Sequence, residues 1–403
     1  MNSHAKPVDV QVHRLRFITR DDLTIPTFSL LKEDGTPWPK AELPEIEQAT
    51  ALRIYHTFVR IRALDERMLA AQRQGRISFY MTESGEEATD IASTAAMAED
   101  DMIFAQYREQ GAIAYRGYSL DNFMNQLFSN AEDLGKGRQM PIHYGAADLH
   151  YMTISSPLAT QIPQATGYAY GIKARGGNNC VLCFFGEGAA SEGDFHAALN
   201  MAGVLRVPVI FFCRNNRYAI STPVSEQCAG DGIAPRGLSY GLHTIRVDGN
   251  DALAIFKATQ AARKMAVEKQ QPVLIEAMTY RLGAHSSSDD PRGYRSKEEE
   301  EHWRSKDPVN RYRQWLLNQG WLTEAEDAEL RETEKKAILS AMKAAEKRPC
   351  VTLDTLVTDV YEAVPWHLQE QLDQLTAHVA NYPEHYPIAG KAISEPAGGS
   401  RHE

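Results

Sequence analysis

Two stretches decide the fold: Phe184-Phe-Gly-Glu-Gly-Ala-Ala-Ser-Glu-Gly-Asp194 and, further along the chain, Cys213-Arg-Asn-Asn-Arg-Tyr218. Each follows directly on an apolar run that predicts a buried strand, Cys180–Phe185 for the first and Val207–Cys213 for the second. Residues 191–205 between them predict a helix capped by Ser191. A strand, a helix and a second strand form a right-handed crossover when the strands are parallel neighbours. Both stretches are therefore expected at one edge of a sheet.

The rest of the chain continues this alternation of strands and helices. Further strands are predicted at 102–105, 244–247 and 272–280, and helices at 44–74, 158–173 and 251–269. This order is typical of the α/β class, with a parallel sheet flanked by helices. We expect an irregular N-terminal arm at 1–45, the α/β domain at 46–296, a charged helical C-terminal region at 297–390 and a disordered tail at 391–403.

Composition and charge narrow the class of protein. Lys and Arg total 43 and Asp and Glu 53, so the net charge is -10, which argues against a general nucleic-acid binder. The apolar runs are too short for a membrane span, which needs about 20 residues. The first 20 residues contain no apolar segment of a secretory signal. Five cysteines, an odd and low number, suit a reducing compartment, and we expect a cytoplasmic protein in which Cys180 and Cys183 lie in the core.

The residue types at the two strand ends suggest a chemistry. Glu187 and Asn216 are expected to converge, and a carboxylate, an amide oxygen and a backbone carbonyl are hard ligands that suit Mg²⁺. Gly186 and Gly188 would let the backbone approach a diphosphate, next to the positive end of a helix. Gly186 to Gly188 alone could also be an ordinary glycine turn between strand and helix.

A dinucleotide-binding dehydrogenase is the alternative from another class. Its fingerprint, Gly-x-Gly-x-x-Gly, fails here because the sixth position, counted from Gly186, is Ser191.

The spacing of these stretches resembles a known cofactor motif. Gly186-Glu-Gly188, then 26 residues, then Asn215-Asn216 resembles the thiamine-diphosphate motif, with Glu187 in place of the usual Asp. Nearly the whole chain resembles the α subunit of 2-oxo acid dehydrogenase decarboxylase components of the branched-chain type. The stretches that carry this resemblance are Gly75–Met81, Gln106–Glu109, Leu134–Pro141, Ser155–Pro163, Gly283–Asp290 and Glu384–Pro387.

The resemblance implies a thiamine-diphosphate-binding fold and an oxidoreductase of branched-chain amino acid catabolism. Such an enzyme decarboxylates a branched-chain 2-oxo acid, 3-methyl-2-oxobutanoate, and reductively acylates the lipoyl group of a partner acyltransferase. The alternative within the class is the α subunit of a pyruvate decarboxylase component. A non-catalytic binding subunit is a further alternative, against which Glu187, Asn216 and His285 together argue.

The resemblance also implies roles for individual residues. Glu187, the Asn216 side chain and the Tyr218 carbonyl would hold Mg²⁺. His285 would be catalytic. The residues implied to bind thiamine diphosphate are Gln106, Tyr107, Arg108, Ser156, Leu158, Gly186, Glu187, Gly188, Ala189, Arg214, Asn216 and His285. Ser155, Pro157, Thr160 and Gln161 would form a monovalent cation site, for K⁺.

The expected partner subunit follows from a second α/β domain that the sequence does not predict in this chain. The carboxylate that activates the aminopyrimidine lies, in this family, on a second domain, and no second run of alternating strands and helices is left over. The resemblance therefore implies a separate β subunit, with two α and two β chains, and a lipoyl-bearing acyltransferase core. The alternative is an α homodimer in which Glu83 or Glu86 activates the cofactor. The resemblance also implies that a serine of the stretch Ser286–Ser288 is a regulatory phosphorylation site in animal relatives; the alternative is a mobile polar loop, and the sequence leaves open whether Ser286 is modified here.

Overall fold

The computed structural model describes residues 13–15 and 17–386, so the predicted tail at 391–403 lies outside the described residues. Within them the strands are β1 Thr27–Phe28, β2 Met102–Phe104, β3 Val181–Gly186, β4 Val209–Asn215, β5 Tyr218–Ala219, β6 Thr222–Pro223, β7 His243–Asp248 and β8 Val273–Met278. The helices are α1 Gln48–Arg73, α2 Glu87–Ala95, α3 Gln110–Tyr115, α4 Leu120–Leu127, α5 Gln161–Ala174, α6 Gly193–Leu205, α7 Val224–Gln227, α8 Ala234–Ser239, α9 Ala252–Lys269, α10 Lys297–Ser305, α11 Pro308–Gln319, α12 Glu324–Ala345, α13 Thr355–Thr358 and α14 Trp366–Asn381.

The main sheet is parallel throughout and has the strand order β1-β7-β8-β4-β3-β2. β3 and β4 are neighbours, as the crossover predicted, and their register pairs Gly186 with Arg214. β4 pairs in turn with β8, with Asn215 opposite Met278. The predicted α/β class is confirmed. The two stretches that decide the fold therefore leave the sheet side by side, at its carboxyl edge.

Helices cover both faces of this sheet, and each face has its own hydrophobic core. Cys180, directly before β3, and Cys183, within β3, lie on opposite faces. Cys180 lies in a core that includes residues of α1, α2 and α9, whereas Cys183 lies in a second core with α5 and α6. Both are fully buried, so the prediction of core cysteines is confirmed. Their opposite placement follows from the two-residue period of a strand, which sends residues three apart to different sides.

The start of α6 differs from the prediction. Ser191 does not cap it, because Ala189–Ser191 form a separate 3-10 turn in which Ser191 N–H donates to the Gly188 carbonyl at 3.1 Å. The helix begins at Gly193, with Glu192 as the preceding residue. This extra turn lets the chain fold over the end of β3 before it enters the helix.

The segment predicted as an irregular arm contributes β1, which pairs with β7 at the edge of the sheet. A two-residue strand is too short to show a periodic pattern, so β1 could not be predicted from the sequence. Asp251 fixes the chain after β1, because its Oδ2 accepts hydrogen bonds from the Leu30 and Leu31 N–H groups at 2.6 and 2.7 Å. The domain boundaries at 45, 296 and 390 stay a prediction.

Two of the helices beyond residue 296 pack on helices nearer the N-terminus: α12 on α1 and α4, and α11 on α1 and α2. Trp315 of α11 is 3% exposed. Across residues 13–15 and 17–386, every helix is too short or too polar to cross a membrane.

A candidate cofactor site at the carboxyl edge of the sheet

A cavity of about 460 Å³ opens where the strands β3 and β4 end. Twelve of the predicted site residues line it: Gln106, Tyr107, Arg108, Leu158, Gly186, Glu187, Gly188, Ala189, Arg214, Asn216, Tyr218 and His285. Most of them lie at the ends of β3 and β4 or in the segments after β2, β3, β4 and β8, which is where ligands bind in parallel α/β sheets, and Leu158 lies just before α5. The topology therefore brings together residues that are up to 179 positions apart, from Gln106 to His285.

Glu187 is the central acid of this cavity and is only 1% exposed. Its Oε2 accepts a hydrogen bond from the Asn216 N–H at 3.2 Å, whereas its Oε1 has no hydrogen-bond partner. Burial raises the pKa of Glu187 to about 7. A buried carboxylate with one unpartnered oxygen is unfavourable on its own, and a bound cation would supply the missing partner.

The neighbouring oxygens suit the same cation. The Asn216 side chain donates from Nδ2 to Glu86 at 3.0 Å, and its Oδ1 accepts from the Tyr218 N–H at 3.3 Å. The Tyr218 carbonyl accepts from Arg281 at 3.1 Å. No three His, Cys, Asp or Glu side chains converge on a metal centre in the described part of the chain. A set of one carboxylate, one amide and one carbonyl would leave the remaining ligand positions to phosphate oxygens and water, as Mg²⁺ prefers.

Two buried glutamates hold the arginines of the cavity. Arg214 donates from Nη1 to Glu86 at 2.6 Å and lies 2.5 Å from Glu109 through Nη2. Arg108 lies 3.6 Å from Glu86. Burial, partly offset by Glu86, lowers the pKa of Arg108, whereas the two carboxylates outweigh burial and raise the pKa of Arg214. The Nε atom of Arg214 is buried without a partner, so this guanidinium keeps one donor for a ligand.

Glu109 also shapes the loop after β2. Its Oε2 accepts hydrogen bonds from the backbone N–H groups of Gln106, Tyr107 and Arg108 at 2.9, 3.0 and 3.0 Å. The Gln106 side chain in turn accepts from the Gly186 N–H at 2.8 Å. The loop after β2 and the turn after β3 are therefore joined directly, and both face the cavity.

His285 lies between two arginines. Arg281 approaches its Nδ1 at 3.4 Å, and Arg108 donates to its backbone carbonyl at 2.8 Å. Burial first, and then the charges of Arg108 and Arg281, lower the pKa of His285 to about 3. Because an arginine can only donate, Nδ1 is the acceptor, and the proton of the neutral ring is on Nε2. The cavity thus presents a neutral imidazole in cationic surroundings, which suits an anion.

Other predicted residues lie beside this cavity. Ser156 is not among the lining residues, and its hydroxyl contacts His143 Nε2 at 2.9 Å. Thr160 Oγ1 lies 3.0 Å from Ser155 Oγ and 2.9 Å from the Pro157 carbonyl, so three oxygens of the predicted cation site are close together. Gln161 is buried and donates to the Phe184 carbonyl at 3.0 Å.

The sequence interpretation missed three residues. Arg281 lines the cavity and, like His285, follows the last strand of the sheet, so the same edge argument could have found it. Glu109 is the last residue of the stretch Gln106–Glu109, but nothing in the sequence indicates that it accepts three backbone hydrogen bonds. Glu86 was considered only as an activating acid. Its position at the N-cap of α2 follows from a helix that the sequence pattern did not reveal.

Fold and site together define an α/β protein with a cavity at the carboxyl edge of a parallel sheet, lined by arginines and one buried carboxylate. The chain belongs to the dehydrogenase E1 component family, which matches residues 55–354. It is 49% identical over 386 residues to the 2-oxoisovalerate dehydrogenase subunit alpha, mitochondrial, of Caenorhabditis elegans, covering 95% of this chain and 89% of that protein.

Two further relatives carry the same description. The Homo sapiens protein is 48% identical over 379 residues, covering 94% of this chain and 85% of the relative. The Arabidopsis thaliana subunit alpha 1 is 49% identical over 364 residues, covering 90% of this chain and 77% of the relative. The predicted resemblance to the branched-chain α subunit is confirmed, and these names favour that role over the pyruvate alternative. The family implies thiamine diphosphate as the cofactor.

The predicted cytoplasmic location is wrong by these comparisons, because the relatives are named as mitochondrial proteins. The prediction relied on the first 20 residues, and residues 1–12 lie outside the described part of the chain.

Proposed function

We propose that this chain is the α subunit of a thiamine-diphosphate-dependent decarboxylase component that acts on branched-chain 2-oxo acids such as 3-methyl-2-oxobutanoate. The relatives' names support the substrate class. The observation that carries the assignment to the site is Glu187, a buried carboxylate with an unpartnered oxygen beside Asn216 at the ends of β3 and β4. After CO₂ is released, the remaining acyl group passes, in this proposal, to the lipoyl group of a partner acyltransferase, whose disulfide is reduced in the same step.

Thiamine diphosphate supplies an electron sink that stabilises the carbanion left by decarboxylation. The chain's own residues supply position and charge. Glu187, the Asn216 side chain and the Tyr218 carbonyl would hold Mg²⁺, which suits the hard oxygen donors of the set. The residues proposed to surround the diphosphate are Gln106, Tyr107, Arg108, Arg214, His285 and, in addition, Arg281. Planar guanidinium groups match the bidentate geometry of phosphate oxygens.

His285 is proposed to donate a hydrogen bond, and to hold or move a proton, at Nε2. Its Nδ1 faces Arg281, so the free N–H is on the other side of the ring. A neutral imidazole among arginines becomes easier to protonate once an anion is bound, because the anion offsets the charges of Arg108 and Arg281. The ring is thus placed to respond to the charge of whatever occupies the cavity.

The remaining roles are proposed by resemblance alone. Leu158 and Ser156 would contact the aminopyrimidine, and Gly186, Gly188 and Ala189 would approach the diphosphate through their backbone. Ser155, Pro157, Thr160 and Gln161 would hold K⁺. The contacts among Thr160, Ser155 and Pro157 support a compact oxygen cluster in this place.

A separate β chain is proposed to complete the site. The homodimer alternative needs Glu83 or Glu86 to face the cofactor, and neither lines the cavity. Glu86 is engaged by Arg214 and Asn216, and Glu83 accepts from the Gly111 N–H at 2.8 Å. Both acids are therefore committed to holding the fold. We propose two α and two β chains around a lipoyl-bearing acyltransferase core.

The function is tested by purifying this chain alone and after co-expression with a β chain. Decarboxylation of 3-methyl-2-oxobutanoate and of pyruvate is measured with saturating thiamine diphosphate and Mg²⁺. Activity that appears only with the β chain and prefers 3-methyl-2-oxobutanoate supports the proposal. Full activity of the chain alone would contradict the two-chain arrangement, and preference for pyruvate would contradict the substrate class.

The metal role is tested separately by calorimetry of cofactor binding to the assembled protein. Glu187→Ala should abolish Mg²⁺-dependent binding of thiamine diphosphate. Glu192→Ala is the matched control, because Glu192 also lines the cavity but is exposed and makes no capping hydrogen bond. Normal binding by Glu187→Ala would show that the carboxylate does not hold the metal.

A further inference from the structure

A second cavity, of about 630 Å³, lies on the other side of the segment Asn216–Tyr218. Asn216 and Tyr218 line the cofactor cavity, whereas Arg217 between them lines the second one. Its wall is formed by the arm around β1, the ends of β7 and β8, and the helices α10 and α11. The lining residues that matter here are Lys32, Trp38, Arg217, Met278, Trp303 and Lys306.

Arg217 is held in this cavity at a steric cost. Its φ is +76°, in the left-handed region that residues other than glycine rarely adopt. Its guanidinium lies over the ring of Trp303, 4.8 Å from the centroid, and its Nε is buried without a hydrogen-bond partner. A strained backbone that presents a half-buried cation with one unsatisfied N–H is the kind of feature that persists at binding sites.

Arg217 has no ion pair within 4 Å among the described residues. The carboxylate that acts on it from a longer distance, Glu299, accepts hydrogen bonds of 3.1 and 3.0 Å from the Tyr218 hydroxyl. Two other cations of the cavity are already matched, because Lys306 pairs with Glu33 at 3.2 Å and Arg311 with Asp248 at 2.8 Å.

Among the cations that line this cavity, Lys32 is the second one that has no ion pair with the described residues. Its Nζ lies 5.7 Å from the centre of the Trp38 ring, and Asp34 acts on it only at longer range while accepting hydrogen bonds from Thr36. The cavity therefore presents two cations without an ion pair and the half-exposed indole ring of Trp38, whereas the ring of Trp303 already stacks on Tyr280 and lies under Arg217. This combination offers charge to an anion and flat apolar surface to the body that carries it.

We infer that this cavity binds a small organic anion, a carboxylate or a phosphate attached to a flat or apolar group, with Arg217 as the main anion contact and the half-exposed ring of Trp38 as the apolar wall. The inference does not depend on the function proposed above, because the site shares no lining residue with the cofactor cavity.

The test is calorimetric titration of the full chain with phenyl phosphate and, in a second arm, with benzoate. Saturable binding of at least one probe is expected, and the tighter probe tells a phosphate site from a carboxylate site. Arg217→Gly and Arg217→Asn should each weaken binding by about tenfold or more, since a charged hydrogen bond is lost. Lys32→Met should weaken it less.

Two controls keep the result interpretable. Gly and Asn both accept the left-handed backbone, so the Arg217 variants should fold, and Arg217→Gly should melt at the same or a higher temperature than the parent. His285→Ala alters the cofactor cavity and should leave probe binding unchanged. Absence of saturable binding for both probes would overturn the inference. So would a loss in His285→Ala as large as in Arg217→Gly, because the probe would then occupy the cofactor cavity.

Discussion

Glu86 accepts a hydrogen bond of 2.6 Å from Nη1 of Arg214, and 128 residues separate these two side chains, which are 0% and 2% exposed. The same carboxylate accepts from Asn216 Nδ2 at 3.0 Å and lies 3.6 Å from Arg108. One acid at the start of α2 thus fixes two arginines and the amide proposed to hold the metal. The cofactor cavity depends on this acid although the acid does not line it.

Removing the charge of Glu86 should destabilise the fold. Glu86→Gln leaves Arg214 buried with half of its counter-charge, and breaking a buried ion pair typically costs about 3 kcal/mol or more. The expected result is a lower free energy of unfolding in urea titrations. Glu42→Gln is the control, since Glu42 is 92% exposed and 3.7 Å from Lys257, and should change stability by less than about 0.5 kcal/mol. Equal unfolding midpoints for both variants would contradict the structural role of Glu86.

Glu187 should make the metal-free chain less stable as the pH rises. Its folded pKa is about 7, above the ordinary value of 4.5, so the folded chain binds this proton more tightly than the unfolded chain does. The resulting stability is full below pH 4.5 and is lost as the pH rises through about 7.

Glu187→Gln should therefore be more stable than the parent at about pH 8 without Mg²⁺, by up to about 3 kcal/mol, and equally stable at about pH 4. Urea unfolding at the two pH values measures this. A variant that is less stable than the parent at the higher pH would mean that Glu187 supports the fold rather than a ligand.

His285 should remain neutral in the free chain and gain basicity when an anion binds. Its pKa of about 3 lies below the ordinary 6.5, so the unfolded chain takes up this proton first, and stability falls as the pH drops below 6.5. Inorganic diphosphate should raise the pKa, because it offsets the charges of Arg108 and Arg281. NMR titration of the imidazole signals measures this, with His285→Asn to assign the resonance. A His285 signal that titrates near pH 6.5 without diphosphate would contradict the cationic surroundings.

The two glycines of the turn after β3 should respond differently to alanine. A Cβ at Gly188 would lie 2.8 Å from the Cβ of Ala219, so Gly188→Ala should lower the free energy of unfolding by about 1–3 kcal/mol. A Cβ at Gly186 would meet Gln106 only at 3.8 Å, an ordinary contact, so Gly186→Ala should fold normally. Its methyl group lies at the wall of the cofactor cavity and should weaken thiamine diphosphate binding. Thermal melting and calorimetry separate the effects, and identical behaviour of the two variants would refute the distinction.

The sequence by itself determined the sheet and the edge at which the site lies. The apolar runs before Gly186 and Arg214, with a helix between them, specify adjacent parallel strands, because only that arrangement buries both runs and keeps the crossover right-handed. The polar residues that follow the strands, Glu187, Asn216 and His285, must then meet at the carboxyl edge. The resemblance of these local motifs also predicted the family.

Only the tertiary structure decided which charges are matched. Glu86, Glu109 and Arg281 surround the cofactor cavity, and Arg217 is left unpaired on the opposite side of the same segment. The pairing of the two-residue strand β1 with β7 was likewise decided only by the tertiary structure. These features depend on contacts between residues far apart in the chain, some with no periodic signal at all. A buried charge is stabilised by the particular neighbours that packing brings within a few ångströms, and local sequence patterns carry no information about that distance.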